Sequence, residues 1–345
     1  MQTLISILLL AGAAAPQWQK IDVPTTASFR GLSVVSKDIV WASGSEGTVI
    51  RTLDGGKQWS VTTVPGAEKL DLRGIRAFDG RTAVVISAGP AEKGQARIYR
   101  TTDGGETWQQ VFEEKRAGIF FDAVAFWDRR HGIVLSDPVG GKFALFATDD
   151  GGAAWEQLPP SALPPTLPNE GAFAASNSCL TVQGPSRVWF ATGGASVARV
   201  FRSRDRARTW MVSETPMHPA NASSGIFSLL FRDKRFGVAV GGDYAHPEES
   251  DLPSVMFTSD GGATWREGTP TKPRGVYLSS IAFVWTPIQD GLMAVGTRGA
   301  ILSPAKDRWI TQGPESLNSV AATDDRSAIV WAVGPKGLVL RASMR

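Results

Sequence analysis

Thr258-Ser259-Asp260-Gly261-Gly262-Ala263-Thr264-Trp265 is an octet that returns along the chain, and its repetition decides the fold. The same phase, Ser or Thr, then Asp two later, Gly four later and Trp seven later, stands at Thr52/Asp54/Gly56/Trp59, Thr101/Asp103/Gly105/Trp108 and Thr148/Asp150/Gly152/Trp155. A damaged copy, Ser203/Asp205/Trp210, has Ala207 in the glycine position, and a remnant around Ser303 and Trp309 has lost its glycines and one residue. Adjacent glycines reach positive φ in a tight hairpin turn, the Asp carboxylate accepts N–H groups of that turn, and the Trp begins the next strand. An indole buries a large apolar face at low rotamer cost, so one ring per repeat can wedge between neighbouring sheets. Asp54, Asp103, Asp150, Asp205 and Asp260 therefore read as structural. As calcium ligands they are poor, because each turn brings one carboxylate where calcium needs a cluster of oxygens.

Working outward, Trp18, Trp59, Trp108, Trp155, Trp210, Trp265 and Trp309 fall at one phase, at intervals of 41 to 55 residues. Periods of that size, each holding several short β-type runs and turn signals, mark a four-stranded propeller blade, and the count is seven. A blade reads as strands a to d, for example residues 72–78, 82–87, 96–101 and 107–112, with the octet as the c–d turn. Residues 17–24 match strand d with no a, b or c before them, while residues 317–345 supply a, b and c and then stop. The two fragments are expected to complete the seventh blade, closing the ring and leaving no open inner edge. The expected fold is all-β: a single seven-bladed β-propeller over residues 16–345, with the N-terminal strand closing the last blade.

This octet resembles the Asp box, and the resemblance covers nearly the whole chain after its first residues. The sequence is similar to the BNR-type propellers of the sialidase superfamily, and most similar to the photosystem II stability/assembly factor-like proteins. That likeness implies a propeller that holds a partner polypeptide without catalysis. Fold does not dictate function, since the box is shared by enzymes, receptors and assembly factors.

Residues 1–15 carry no charged side chain, and Leu4-Ile5-Ser6-Ile7-Leu8-Leu9-Leu10 followed by Ala11-Gly12-Ala13 reads as a short signal peptide, so a secreted or periplasmic protein is expected. The apolar run is too short for a stable membrane span of about 20 residues. With 42% hydrophobic and 20% charged residues the chain has ample material for a core, and its net charge of +3 lacks the clustered Lys and Arg of nucleic-acid binders. Cys179, the single cysteine, excludes an intrachain disulfide and reads as a buried small hydrophobe. The expected partner of the monomeric ring is a protein or peptide of the cell envelope, or a glycan.

Because the octets lie on one face, the b–c and d–a loops gather on the other, and two of each are long: residues 88–95, 242–253, 158–171 and 213–224. Long loops in a compact fold tend to carry function. At the entrance to strand a the repeats place Arg30, Arg73, Asp122, Ser176, Phe227, Ser279 and Asn318. Together with Asp137, Glu170, Asn177, Asp243, Tyr244, Arg274 and Tyr277 they make a face polar enough for a carbohydrate or an anion. The candidate ligand-binding set is Arg30, Arg73, Asp122, Asp137, Glu170, Asn177, Asp243, Tyr244, Arg274 and Tyr277.

The enzymatic alternative is a sialidase-like glycoside hydrolase. That resemblance asks for three arginines, a Tyr nucleophile paired with Glu, and an Asp acid; Arg30, Arg73, Arg274, Tyr277, Glu170 and Asp122 can be drawn into such a set, although no local motif selects them. The usual Arg-Ile-Pro signature is replaced by Phe29-Arg30-Gly31-Leu32. His131, His218 and His246 are isolated, so no metal site is read, and with no Gly-x-Gly-x-x-Gly after a strand no cofactor is expected.

Overall fold

The computed structural model describes residues 17–345 except 220, 249–250, 269–275, 286–289, 306–307, 312, 314, 324, 326 and 345. The proposed signal peptide and Arg274 lie outside the described residues. Seven four-stranded antiparallel sheets form the blades, six of them built from consecutive strands. In the seventh, the strand Gln19–Ile21 pairs with Val339–Ser343 in the register Gln19↔Arg341, Lys20↔Leu340 and Ile21↔Val339. The chain's first strand thus completes its last blade. Besides strands, the described residues include two single turns of 3-10 helix, Ala91–Lys93 and Pro160–Ala162.

The octets owe their shape to local hydrogen bonds. In the last full copy Asp260 Oδ1 accepts from Ala263 N and Thr264 N, each at 2.9 Å, while Thr258 Oγ1 accepts from Gly262 N at 2.9 Å. The first glycine of the pair donates to the a–b turn of its own blade, as Gly261 N does to Arg235 O at 2.8 Å, so both turns share one face. The damaged copy keeps the whole pattern: Ala207 N donates to Ser203 Oγ at 3.0 Å and Thr209 N to Asp205 Oδ1 at 2.9 Å. Arg206 and Ala207 take φ of 58° and 66°, which the intact turn network imposes on residues that ordinarily avoid it.

The core is divided among the blade interfaces. Seven apolar clusters fill the gaps between adjacent blades, and each contains, or packs against, one of the in-phase tryptophans. Trp59 of the first blade meets Trp331 of the seventh edge-on at 5.7 Å, and Trp108 of the second meets Trp41 of the first at 6.4 Å. Repetition at one phase therefore translates into one wedge per interface.

Around the axis run the a strands, Phe29–Val34, Asp71–Ala77, Phe121–Phe126, Leu180–Gln183, Ser224–Phe231, Ser280–Trp285 and Ser319–Ala322. Their inner edges have no neighbouring strand, and the polar groups there need partners. Side chains of adjacent a strands supply some of them, as Ser228 Oγ does for Ile281 N at 3.2 Å and Asn318 Nδ2 for Phe29 O at 2.8 Å, and one segment supplies others. Residues 172–179, a plug that leads into the short a strand of blade four, cross the channel and hydrogen-bond to every other blade. Ser176 Oγ donates to Ser279 O at 2.6 Å, Ser178 Oγ to Ser228 Oγ at 2.7 Å, and Ser319 Oγ to Ser176 O at 3.5 Å. Asn177 accepts from Val124 N at 2.8 Å and donates to Ile75 O at 3.3 Å and Val124 O at 3.2 Å, its amide acting as a peptide group inserted between blades two and three. A Cβ on Gly74 would lie 2.5 Å from Asn177 Oδ1, so glycine there makes room for the insertion.

Candidate functional site at the axial mouth

Four a strands break register at their loop-face ends: between Phe29 and Gly31, Asp71 and Gly74, Phe121 and Ala123, and Ile226 and Ser228. A bulge re-aims the side chains within it. Here those side chains include Arg30, Arg73, Asp122 and Phe227, all four at positions where the repeat alignment placed an entrance to strand a.

Arg30 Nη1 donates to Ala175 O at 3.2 Å and Arg73 Nη1 to Ala174 O at 3.4 Å, so two guanidinium groups rest on consecutive carbonyls of the plug. Arg73 Nε also donates to Asp71 Oδ2 at 2.7 Å. Burial, and secondarily the like charge of Arg73, lowers the Arg30 pKa. Opposite the arginines stands an aromatic wall. Phe227 stacks on Phe173 at 4.0 Å and meets Tyr277 edge-on at 4.9 Å and Tyr244 at 6.0 Å. Tyr244 is 53% exposed, whereas Tyr277 is buried and its phenol is pushed up by that burial. The mouth thus sets cations against an apolar face, a pairing suited to a ligand that has both an anionic and an apolar group.

Behind Arg73 lie two carboxyl groups. Asp122 is 1% exposed and neither of its oxygens has a hydrogen-bond partner. Burial drives its pKa well above the carboxylate range, with the charge of Asp137 adding to the rise and Arg73 opposing it. Asp137 Oδ1 accepts from Ala172 N at 3.0 Å, yet burial still pushes this acid up to about 6.

Of the sequence candidates, Arg30, Arg73, Asp122, Asp137, Tyr244 and Tyr277 lie together here, and Asn177 sits beside them in the plug with φ of 64°. Glu170 is engaged elsewhere: it forms an ion pair with Arg199 Nη2, and its Oε1 accepts from Arg199 Nε at 2.9 Å and Thr192 Oγ1 at 2.7 Å. Asp243 ties two loops together, accepting from Ser223 Oγ at 2.6 Å, Asn221 Nδ2 at 2.8 Å and Ala245 N at 2.9 Å; burial raises its pKa, but these donors prevail and hold it at about 2. Sequence reasoning missed Phe173, Asp71 and the plug carbonyls. Phe227 was placed at the axis but not in the binding set. The sequence also carried no sign that the b–c connection of blade four, residues 192–198, bridges through Gly193 to Gly171 and Gly225.

Comparison with known proteins finds a match over the first third of the chain. Residues 10–118 match the family model described as photosynthesis system II assembly factor YCF48. Over those residues the sequence is similar to the photosystem II assembly factors. Among solved structures it is similar to a YCF48 bound to a D1 peptide, at 15% identity over 95% of this chain and 97% of that one, with a TM-score of 0.44. It is similar to YCF48 from Cyanidioschyzon merolae at 17% identity over 96% and 99%, TM-score 0.42. The WD40 β-propeller domain of Doa1 aligns at 13% identity over 96% and 98% with a TM-score of 0.60, a likeness of fold. No curated protein matches the sequence.

Proposed function

We propose that this assembly factor-like chain is an exported, non-catalytic propeller that holds a protein or peptide partner at its axial mouth. The observation that carries the reading is the placement of Arg30 and Arg73, anchored on plug carbonyls, across from Phe173, Phe227, Tyr244 and Tyr277. An acidic side chain or terminus next to an apolar or aromatic one satisfies both halves, and a peptide supplies that combination more readily than a neutral sugar.

The glycoside hydrolase alternative needs Glu170 beside Tyr277 as its base. Glu170 instead spends both oxygens on Arg199, Thr192 and Leu167 N, the last at 2.9 Å, and burial moves the Tyr277 phenol away from easy ionisation. A defined array of ten-residue peptides, spanning acidic, basic and aromatic compositions, tests the proposal. Acidic peptides with an aromatic residue are expected to be retained, and Arg30→Ala, Arg73→Ala or Tyr244→Ala each to weaken retention by about 1–2 kcal/mol, as truncation of interface anchors does. Retention indifferent to all three, or hydrolysis of a fluorogenic glycoside that vanishes in Tyr277→Phe, would refute it.

A further inference from the structure

Asp122 presents a problem that the hydrogen-bond network leaves unsolved. A buried carboxylate is stabilised by donors or by an opposing charge, and this one has no donor on either oxygen. The cation nearest in its surroundings, Arg73, is turned to Asp71 Oδ2 and to Ala174 O. Asp137, on the adjacent strand of the same blade, brings a second acid to the spot and holds the plug through Ala172 N. The remaining groups around the pair are Asp71 and Arg73 from blade two and the Cys179 thiol from the plug, which burial and then Asp122 push up; Arg30 and Tyr277 lie beyond Arg73, and Glu170 is taken by Arg199.

We propose that the axial mouth is gated by protons: with Asp122 and Asp137 neutral, Arg73 stays with the plug and the mouth, and when they ionise, Arg73 turns inward to them and the mouth releases its anionic ligand. The inference rests on the anion-holding reading of the mouth given above. The charge balance is its physical basis. Arg30 and Arg73 against Asp71 leave one positive charge in excess while the pair is neutral; two further carboxylates reverse that sign. A neutral pair also explains the orphaned oxygens, since an uncharged carboxyl loses far less on burial than a carboxylate does. The plug joins the two states mechanically, because its residues 172, 174 and 175 bond to Asp137, Arg73 and Arg30 in turn.

The test uses the full chain with fluorescein-labelled hexa-aspartate, followed by anisotropy from pH 5 to 8 at constant ionic strength. Affinity is expected to fall on the order of tenfold across that range in the wild type, and to lose its pH dependence in Asp122→Asn/Asp137→Asn and, in part, in Asp137→Asn alone. A flat wild-type profile, or an equal fall in the double variant, overturns the gating. Carboxyl carbon NMR without peptide provides the independent arm. Asp137 titrating near pH 6, with the Arg73 Nε–H resonance moving at the same midpoint, supports the switch even when hexa-aspartate does not bind, an outcome that removes the anion reading alone. Titration of both acids near the ordinary value of about 4 overturns the switch, as does a midpoint displaced by millimolar calcium or magnesium, which would make the pair a metal site.

Discussion

Replacing Asn177 by alanine takes away the amide that joins blades two and three at the axis. Val124 is 2% exposed, and its N–H loses an acceptor at 2.8 Å; Ile75 O and Val124 O lose donors at 3.3 and 3.2 Å. An unsatisfied buried donor costs about 1–3 kcal/mol, and the two carbonyls, which face Asn177 and not their own ladders, add less, since a carbonyl tolerates a missing partner better than an N–H does. Alanine at φ of 64° adds strain of roughly 1 kcal/mol, which asparagine tolerates better. The sum is about 2–4 kcal/mol, and at about 2 °C per kcal/mol for a large single domain the midpoint should drop by about 4–8 °C in a thermal melt. Asn177→Gly separates the two causes. Glycine removes the strain while leaving the bonds broken, so it should recover only the strain component. Wild-type stability in Asn177→Gly would show that the axial hydrogen bonds contribute nothing, and a shift under 1 °C in Asn177→Ala would refute the reasoning altogether.

A chain starting at Thr25 loses the strand Gln19–Ile21, the buried Ile21 and Val23, and the Trp18 ring; burial of those side chains is worth about 5 kcal/mol, and a melting temperature equal to that of the full chain would remove ring closure as a source of stability. Asp260→Ala deprives Ala263 N, Thr264 N and the Thr264 hydroxyl of their acceptor, for an expected loss of about 1–3 kcal/mol in urea unfolding without any change in peptide retention by the folded protein. Despite partial burial, hydrogen bonds hold the Asp260 carboxyl at about 2, so its stabilising contribution is present above the unfolded value and is lost as pH falls through about 2; an acid titration of stability with no such difference between wild type and Asp260→Ala contradicts this. Glu170→Gln leaves the buried Arg199 guanidinium without its counter-charge and should cost about 3–5 kcal/mol by denaturant unfolding, and a loss under 1 kcal/mol would mean that the pair is dispensable.

Asp260 and Thr258 could be read from the sequence because what they do is local. Their hydrogen bonds span two to four residues, and a turn that closes over so short a stretch imposes the same residue types wherever it is repeated. The equal phase of the tryptophans then fixed the number of blades, and residues 17–24 declared themselves as a strand d by matching residues 107–112. In the damaged copy Ala207 stands in the glycine position, and the Ser203 and Asp205 bonds keep the turn whole.

The axial site has no such signature. Asn177 works through partners 53 and 102 residues away, and Asn318 Nδ2 reaches Phe29 O across 289 residues of sequence. Repeat alignment put Arg30, Arg73, Asp122 and Phe227 near the axis, because strand a has one inner end. It could not tell which of them would meet a partner there. Glu170 and Arg199 look like a free acid and an ordinary strand residue until the chain folds, when they become each other's counter-charge. Asp122 looks like any polar channel residue until the ring closes around it and leaves both oxygens without a donor. Periodicity determines where the strands go, since each strand answers to its neighbours in sequence. The fate of a charge at the centre depends on what seven blades and one crossing segment bring to the same point, and only the closed ring decides that.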